Sequence, residues 1–139
     1  MIQTPAVTKE ELEGVLAESA FVSVYGFRLH AFGSGECTLL LPFQEKLERP
    51  GGIVNGAALM ASADMAMWLA IMTQLGKEAR TLTADLNSTF LSAARKEDVL
   101  CTAKVLKLGR TLVYGVAECS SEAGKLVSHH TVTYIRLDR

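Results

Sequence analysis

Between Asn55 and Leu75 the apolar positions have no period at all. In the run NGAALMASADMAMWLAIMTQL, Ser62 and Asp64 are the only polar side chains between Gly56 and Met72. Apolar residues on every face predict a helix buried all round. The six alanines keep it thin enough to be closely wrapped. Around this stretch the period shortens to two. Phe27, Leu29 and Ala31 alternate with Arg28 and His30, which predicts a strand over Phe21–Phe32, and Glu36–Leu41 follows after a Gly33-Ser34-Gly35 turn. Four more strands are expected over Arg80–Leu91, Asp98–Leu108, Arg110–Ser120 and Leu126–Leu137. Tight reversals at Gly109-Arg110 and at Ser121-Glu122-Ala123-Gly124 join the last three. In the last strand Val127, His129, Thr131, Thr133 and Ile135 share one face, and Ser128, His130, Val132 and Tyr134 lie on the other. Ahead of all this, Thr8 and Glu11 form a capping box that opens a helix through about Glu18, with Leu12, Val15 and Leu16 at helical spacing.

The order is short helix, two strands, long apolar helix, four strands. Long strands joined by tight turns make an antiparallel sheet. The economical α+β solution is a curved six-stranded antiparallel sheet wrapped around one long central helix. It forms a single domain over residues 1–139, with an N-terminal helix within 1–20 and the central helix over 55–75. Phe43–Val54 is expected as a loop whose Pro50-Gly51-Gly52 gives the backbone freedom. Asn55 is placed as the N-cap of the central helix and Gly76 as its stop. Such a sheet has free edges, so self-association is expected.

Composition narrows the setting. A chain of 139 residues, 49% apolar and 21% charged, supports one real core. A net charge of −1 offers no electrostatic footprint for nucleic acid or for an anionic membrane. The central run approaches membrane-spanning length, but an Asp at mid-span costs about 2.5–3.5 kcal/mol on insertion, so a core helix is expected and no membrane partner. Cys37, Cys101 and Cys119 are odd in number and lie in strand-like runs without metal-ligand spacing. They read as core thiols in a reducing compartment, with no metal site. The start MIQTPAVTKEELE has neither a basic beginning nor an apolar core, so a cytoplasmic location is expected.

A carboxylate inside an apolar helix is costly and needs a reason. Around Asp64 the chain resembles the hotdog-fold acyl-CoA thioesterases, in particular the phenylacetic-acid-degradation (PaaI-like) branch. That branch opens its central helix with His-Gly-Gly and carries an Asp nine residues after the His. The matching positions in this chain are Asn55-Gly56-Ala57 and Asp64. The run Arg49-Pro50-Gly51-Gly52-Ile53-Val54-Asn55-Gly56, the strand from Thr81 to Leu91 and the ending Val132-Thr133-Tyr134 extend the likeness from Phe21 to the C-terminus. Asn55 stands where the family has its His, and Ala57 where it has its second Gly.

The resemblance implies hydrolysis of an acyl-CoA to free acid and CoA, with no cofactor beyond the CoA thioester itself. It implies a homodimer or homotetramer with the site at the subunit interface. Asp64 would then reach the thioester beside the partner's Gly56, as general base or nucleophile. The Gly56 N–H, at the positive end of the helix, suits the carbonyl oxygen as charge develops. Asn55 would bond the carbonyl or the water besides capping the helix, and Thr83 would orient the water. Asp85, placed by strand alternation on the face of Thr83, is the reserve base. Met60 and Trp68 are expected along the acyl tunnel. Arg110 and Lys107, with Arg95 and Lys96, are expected at the CoA phosphates. His129 and His130 are expected in an edge-like strand away from the central helix and receive no role. The rival reading is a non-catalytic hotdog protein that binds acyl-CoA or fatty acyl ligands, for which Asn55 in place of His is the argument.

Overall fold

The computed structural model describes residues 3–138. Helix α1 (Lys9–Glu18) opens on the capping box, with Thr8 accepting from the Glu11 N–H and Glu11 reaching back to the Thr8 N–H. Helix α2 (Ala20–Tyr25) leads into β1 (Arg28–Gly33) and β2 (Glu36–Leu41). A single 3-10 turn and the short hairpin β3 (Glu48–Arg49) and β4 (Ile53–Val54) precede α3 (Gly56–Leu75). Strands β5 (Thr81–Phe90), β6 (Val99–Leu108), β7 (Leu112–Ser121) and β8 (Leu126–Arg136) complete the chain.

The six long strands form one antiparallel sheet in the order β1-β2-β6-β7-β8-β5, and α3 touches all six. The chain leaves α3 and enters the sheet at its far edge as β5, so β8 is flanked by β7 and β5. The inner face of the sheet presents small and medium residues to α3, among them Cys37, Leu39, Cys101, Ala103, Val113, Ala117 and Cys119, all buried. Gly115 on β7 lets the helix approach closely: a Cβ there would stand 2.5 Å from the Met67 Cε. Met67, Leu69 and Ile71 of α3 are among the fully buried side chains. Each contributes about 1.5–3 kcal/mol through removal from water.

Two expectations are corrected by the structure. Phe21–Phe32 is not one strand. Residues 20–25 coil into α2, where Phe21 and Tyr25 pair their rings at i, i+4 with centroids 5.2 Å apart. Gly26, at φ 74°, closes that helix in the left-handed region, a conformation glycine adopts without strain. A run alternating in so few residues carries both periods. Nor is α3 buried all round. Ala57, Met60, Ala61, Asp64 and Trp68 form a stripe at helical spacing that stays partly open, because β5 ends the sheet beside it and none of the described residues covers that side.

Candidate active site

Asp64 lies on this open stripe, and the edge strand supplies its partners. Thr83 of β5 and Tyr134 of β8 sit directly opposite each other in the strand pairing, and both face α3. Thr83 Oγ1 donates to Asp64 Oδ1 at 2.8 Å, and Tyr134 OH donates to the same oxygen at 2.6 Å, lying 2.9 Å from the Asp64 carbonyl as well. Among the described residues no donor engages Oδ2, which keeps some solvent contact. Burial raises the Tyr134 hydroxyl well above its ordinary range, and the Asp64 charge and hydrogen bond raise it further. The phenol therefore stays protonated as a donor.

Strand alternation put Asp85 beside Thr83; a β-bulge overturns this. The register with β8 slips between Thr83 and Asp85. Ala84 is thus the extra residue, and the parity of β5 reverses after it. Asp85 turns outward, exposed, and accepts from Asn87 Nδ2 at 2.6 Å, while Leu86 takes the inward place. A second carboxylate is thereby kept off Asp64.

Asn55 caps α3 as expected, its Oδ1 accepting from the Ala57 N–H at 2.9 Å. The Asn55 carbonyl takes the N–H groups of Ala58 and Leu59. The Gly56 N–H has no acceptor among the described residues and stands at the start of a 20-residue helix, where the dipole is positive. It borders a groove of about 440 Å³ lined by Arg49, Ile53, Gly56, Leu59, Phe90 and Ser92. The Phe90 ring closes one side, 3.2 Å from where a Cβ on Gly56 would lie. Asp64 is not part of this groove. At the rise of a regular helix it stands about 12 Å along the axis from Gly56.

The remaining candidates divide between these two ends. Lys107 and Arg110 are exposed at the β6–β7 hairpin, next to the Asp64 end, where Arg136 donates to the Gly109 carbonyl at 3.0 Å. Arg95 donates to the Gly51 carbonyl at 2.9 Å, and the Lys96 ammonium stands 5.9 Å from the Phe43 ring centre, both near the Gly56 groove. Met60 is on the open stripe between the two ends. Trp68 lines a different depression, between α1 and the last turns of α3, with Val15, Met72 and Lys77.

Two histidine expectations fail. β8 is an interior strand, and His130 is fully buried on the face turned to α3, close to the Gly56 end, with its ring edge toward Phe90. Its Nδ1 lies 2.7 Å from Ser88 Oγ and its Nε2 2.8 Å from Ser128 Oγ. Cys119 Sγ is 3.9 Å from Nε2 and donates to the Leu59 carbonyl at 3.8 Å. The sheet order brings His130 inward, since β5 returns to cover the last strand. His129 pairs with Glu118 at 2.8 Å on the outer face. Tyr134 is the residue that sequence reasoning passed over. A phenol on the face turned toward an apolar helix needs an acceptor, and Asp64 is the only carboxylate in that helix.

The Thioesterase superfamily matches residues 51–128, more than half of the chain. A protein of Halobacterium salinarum named "Putative esterase" is 32% identical over 114 residues, 78% of this chain and 74% of that one. The crystal structure of thioesterase HI1161 from Haemophilus influenzae superposes with a TM-score of 0.88 at 25% identity, covering 99% of this chain and 96% of that one. The Escherichia coli PaaI protein from the phenylacetic acid degradation operon shares the fold, with a TM-score of 0.84 at 15% identity over 93% of this chain and 92% of that one. An open-edged sheet wrapped on a helix that carries one carboxylate and one free N–H is thus the hotdog architecture, and the chain belongs to the thioesterase superfamily as a thioester hydrolase.

Proposed function

We propose that the chain hydrolyses acyl-CoA thioesters in a site shared between two copies, with Asp64 as the reacting carboxylate and the Gly56 N–H as the carbonyl clamp. One observation carries this. Among the described residues, Gly56 holds the free N–H at the start of α3 and Asp64 is the one carboxylate on it. The two are about 12 Å apart along the axis, too far for one thioester to touch both within a chain. The open stripe of α3 offers the remedy. An antiparallel pairing of two copies about an axis beside Met60 and Ala61 would set Ala57 of one copy opposite Asp64 of the other, and the alanines allow close approach. The exposed Phe90 at the end of β5 and Leu91 just beyond it extend the same surface.

In that arrangement the thioester carbonyl oxygen accepts from Gly56 N–H. Asp64 takes a proton from water as the water oxygen attacks the carbonyl carbon, or attacks that carbon itself and is released by water afterwards. The C–S bond breaks and CoA leaves as a thiolate, which is tolerable because thiol pKa values are ~8.5. Thr83 holds the carboxylate. Asn55, whose Oδ1 is occupied by the cap, keeps its amide NH₂ for the carbonyl or the water. The same pairing would bring Lys107 and Arg110 of one copy toward Arg95 and Lys96 of the other, a basic rim for the CoA phosphates. Met60 would line the acyl path. Leu106, Leu112 and Tyr114 leave an apolar patch on the outer face of the sheet, which suits a pairing of dimers into a tetramer. Three buried free thiols suit a reducing cytoplasm.

The test is thiol release from short, medium, long and phenylacetyl CoA esters by wild type and by Asp64→Asn. Hydrolysis of some members that disappears in the variant supports the reading. Thermal stabilisation by the same esters without turnover would point to acyl-CoA binding alone.

A further inference from the structure

The two donors to Asp64 converge on one oxygen. Tyr134 has a single hydroxyl proton, and the charged oxygen at 2.6 Å is a better acceptor for it than the neutral carbonyl at 2.9 Å. With Thr83 also on Oδ1, that oxygen is saturated, and the carboxylate plane is fixed by two strands at once. Oδ2 is left bare on the open side of α3.

We propose that Tyr134 is a positioning residue for thioester hydrolysis: with Thr83 it pins Oδ1 of Asp64, so that Oδ2 alone meets the water or the thioester carbon. This rests on Asp64 being the reacting carboxylate. Tyr134 acts through Asp64 and does not touch the substrate. It is buried, paired on one side with Val113 of β7 and on the other with Thr83 of β5, so its ring cannot swing away without opening the sheet. Among the described residues no other titratable side chain faces Asp64 from the surrounding elements. The rest of α3 has none, β5 turns Asp85 outward, β7 offers Val113, and Arg136 of β8 is engaged with the Gly109 carbonyl. The hydrogen bond from Tyr134 fixes which carboxylate oxygen stays free, so its loss lets the carboxylate turn.

Tyr134→Phe removes the donor and little volume. The expected result is a kcat lowered about tenfold or more, in line with a hydrogen bond to a charged group, with KM changed by less than about twofold. In an Asp64→Asn background the same change has no further effect on turnover. Should Tyr134→Phe unfold, 3,5-difluorotyrosine at position 134 keeps the shape and strengthens the donor, and it is expected to shift kcat with KM within about twofold of wild type. A wild-type kcat in Tyr134→Phe overturns the proposal, as does an equal fractional loss in both backgrounds. In the difluorotyrosine protein, an unmoved kcat does the same. If Asp64→Asn itself keeps wild-type turnover, the assignment of Asp64 fails, a result separate from any of these.

Discussion

Two polar clusters face α3 from the sheet, and they are built on opposite plans. At one end Thr83 and Tyr134 both hold Asp64 by one oxygen and leave Oδ2 bare toward solvent. At the other end His130 spends both ring nitrogens on Ser88 and Ser128, Cys119 closes over it, and the ring is fully buried. A cluster that satisfies all its members specifies packing. One that keeps a charged atom unpaired and reachable is equipped for chemistry. Histidine is the usual candidate for acid–base work, yet in this fold the carboxylate holds the open position and the histidine the closed one.

The contrast breaks most sharply at Asp64. Asp64→Asn keeps an oxygen for Thr83 and Tyr134, so the fold should survive, while turnover should fall by about 10²–10⁴, the usual worth of a positioned acid–base group. Steady-state thiol release beside a denaturant melt separates the two effects. His130→Ala should do the reverse. It opens a cavity and strands the buried Ser128 hydroxyl and the half-buried Ser88 hydroxyl, so an unfolding free energy lower by about 2–4 kcal/mol is expected, with kcat per folded molecule close to wild type. If His130→Ala silences a well-folded enzyme, the division between the two clusters is wrong.

Smaller changes sharpen the same line. Thr83→Ala leaves Oδ1 to Tyr134 alone and should cost about tenfold in kcat, the equivalent of about 1.4 kcal/mol for a hydrogen bond to a charged group. Tyr134 also ties the open cluster to stability. Its folded proton affinity is raised, first by burial and then by the Asp64 charge. The neutral phenol's contribution is therefore complete below the free value of ~10 and declines as the pH rises beyond it. Urea midpoints at rising alkaline pH should fall less steeply in Tyr134→Phe than in wild type. On the closed side the thiols should be silent. Burial pushes Cys37 up to about 12. Cys101 is raised by the hydrogen bond it donates to Cys119 and then by burial, whereas that hydrogen bond lowers Cys119, so it is burial of all three that keeps a reagent out. A thiol reagent should find no group in the native protein and three after unfolding, the count of free cysteines.

Much of this was legible in the residues. The unbroken apolar run marked the central helix to within a residue, and the four late strands are where alternation put them, because long elements with one dominant period leave little choice. Asp64 stands out by residue type against the apolar run, while Asn55, Gly56 and Thr83 were marked by the family resemblance. What escaped was set by tertiary pairing. The helical turn at Phe21–Tyr25 competes with a strand over too few residues to decide. The bulge at Ala84 that turns Asp85 away arises from pairing with β8 and has no local signature. Alternation grouped Tyr134 and His130 on one face of their strand without saying that this face turns to α3, and their partners depend on β5 returning to cover that strand. The open stripe on α3 was invisible, since an apolar sequence does not say which side the sheet leaves bare.

The central claim is that each site takes Gly56 from one copy and Asp64 from another, and mixed dimers test it most directly. Gly56→Val, which crowds the carbonyl clamp against Phe90, and Asp64→Asn should each be inactive alone. Co-expressed with different tags and isolated as the heterodimer, the two chains should regain about half of the wild-type rate, because one of the two sites then has both groups intact. A heterodimer as inactive as its parents would mean that each chain carries a complete site of its own, and the shared site would be refuted.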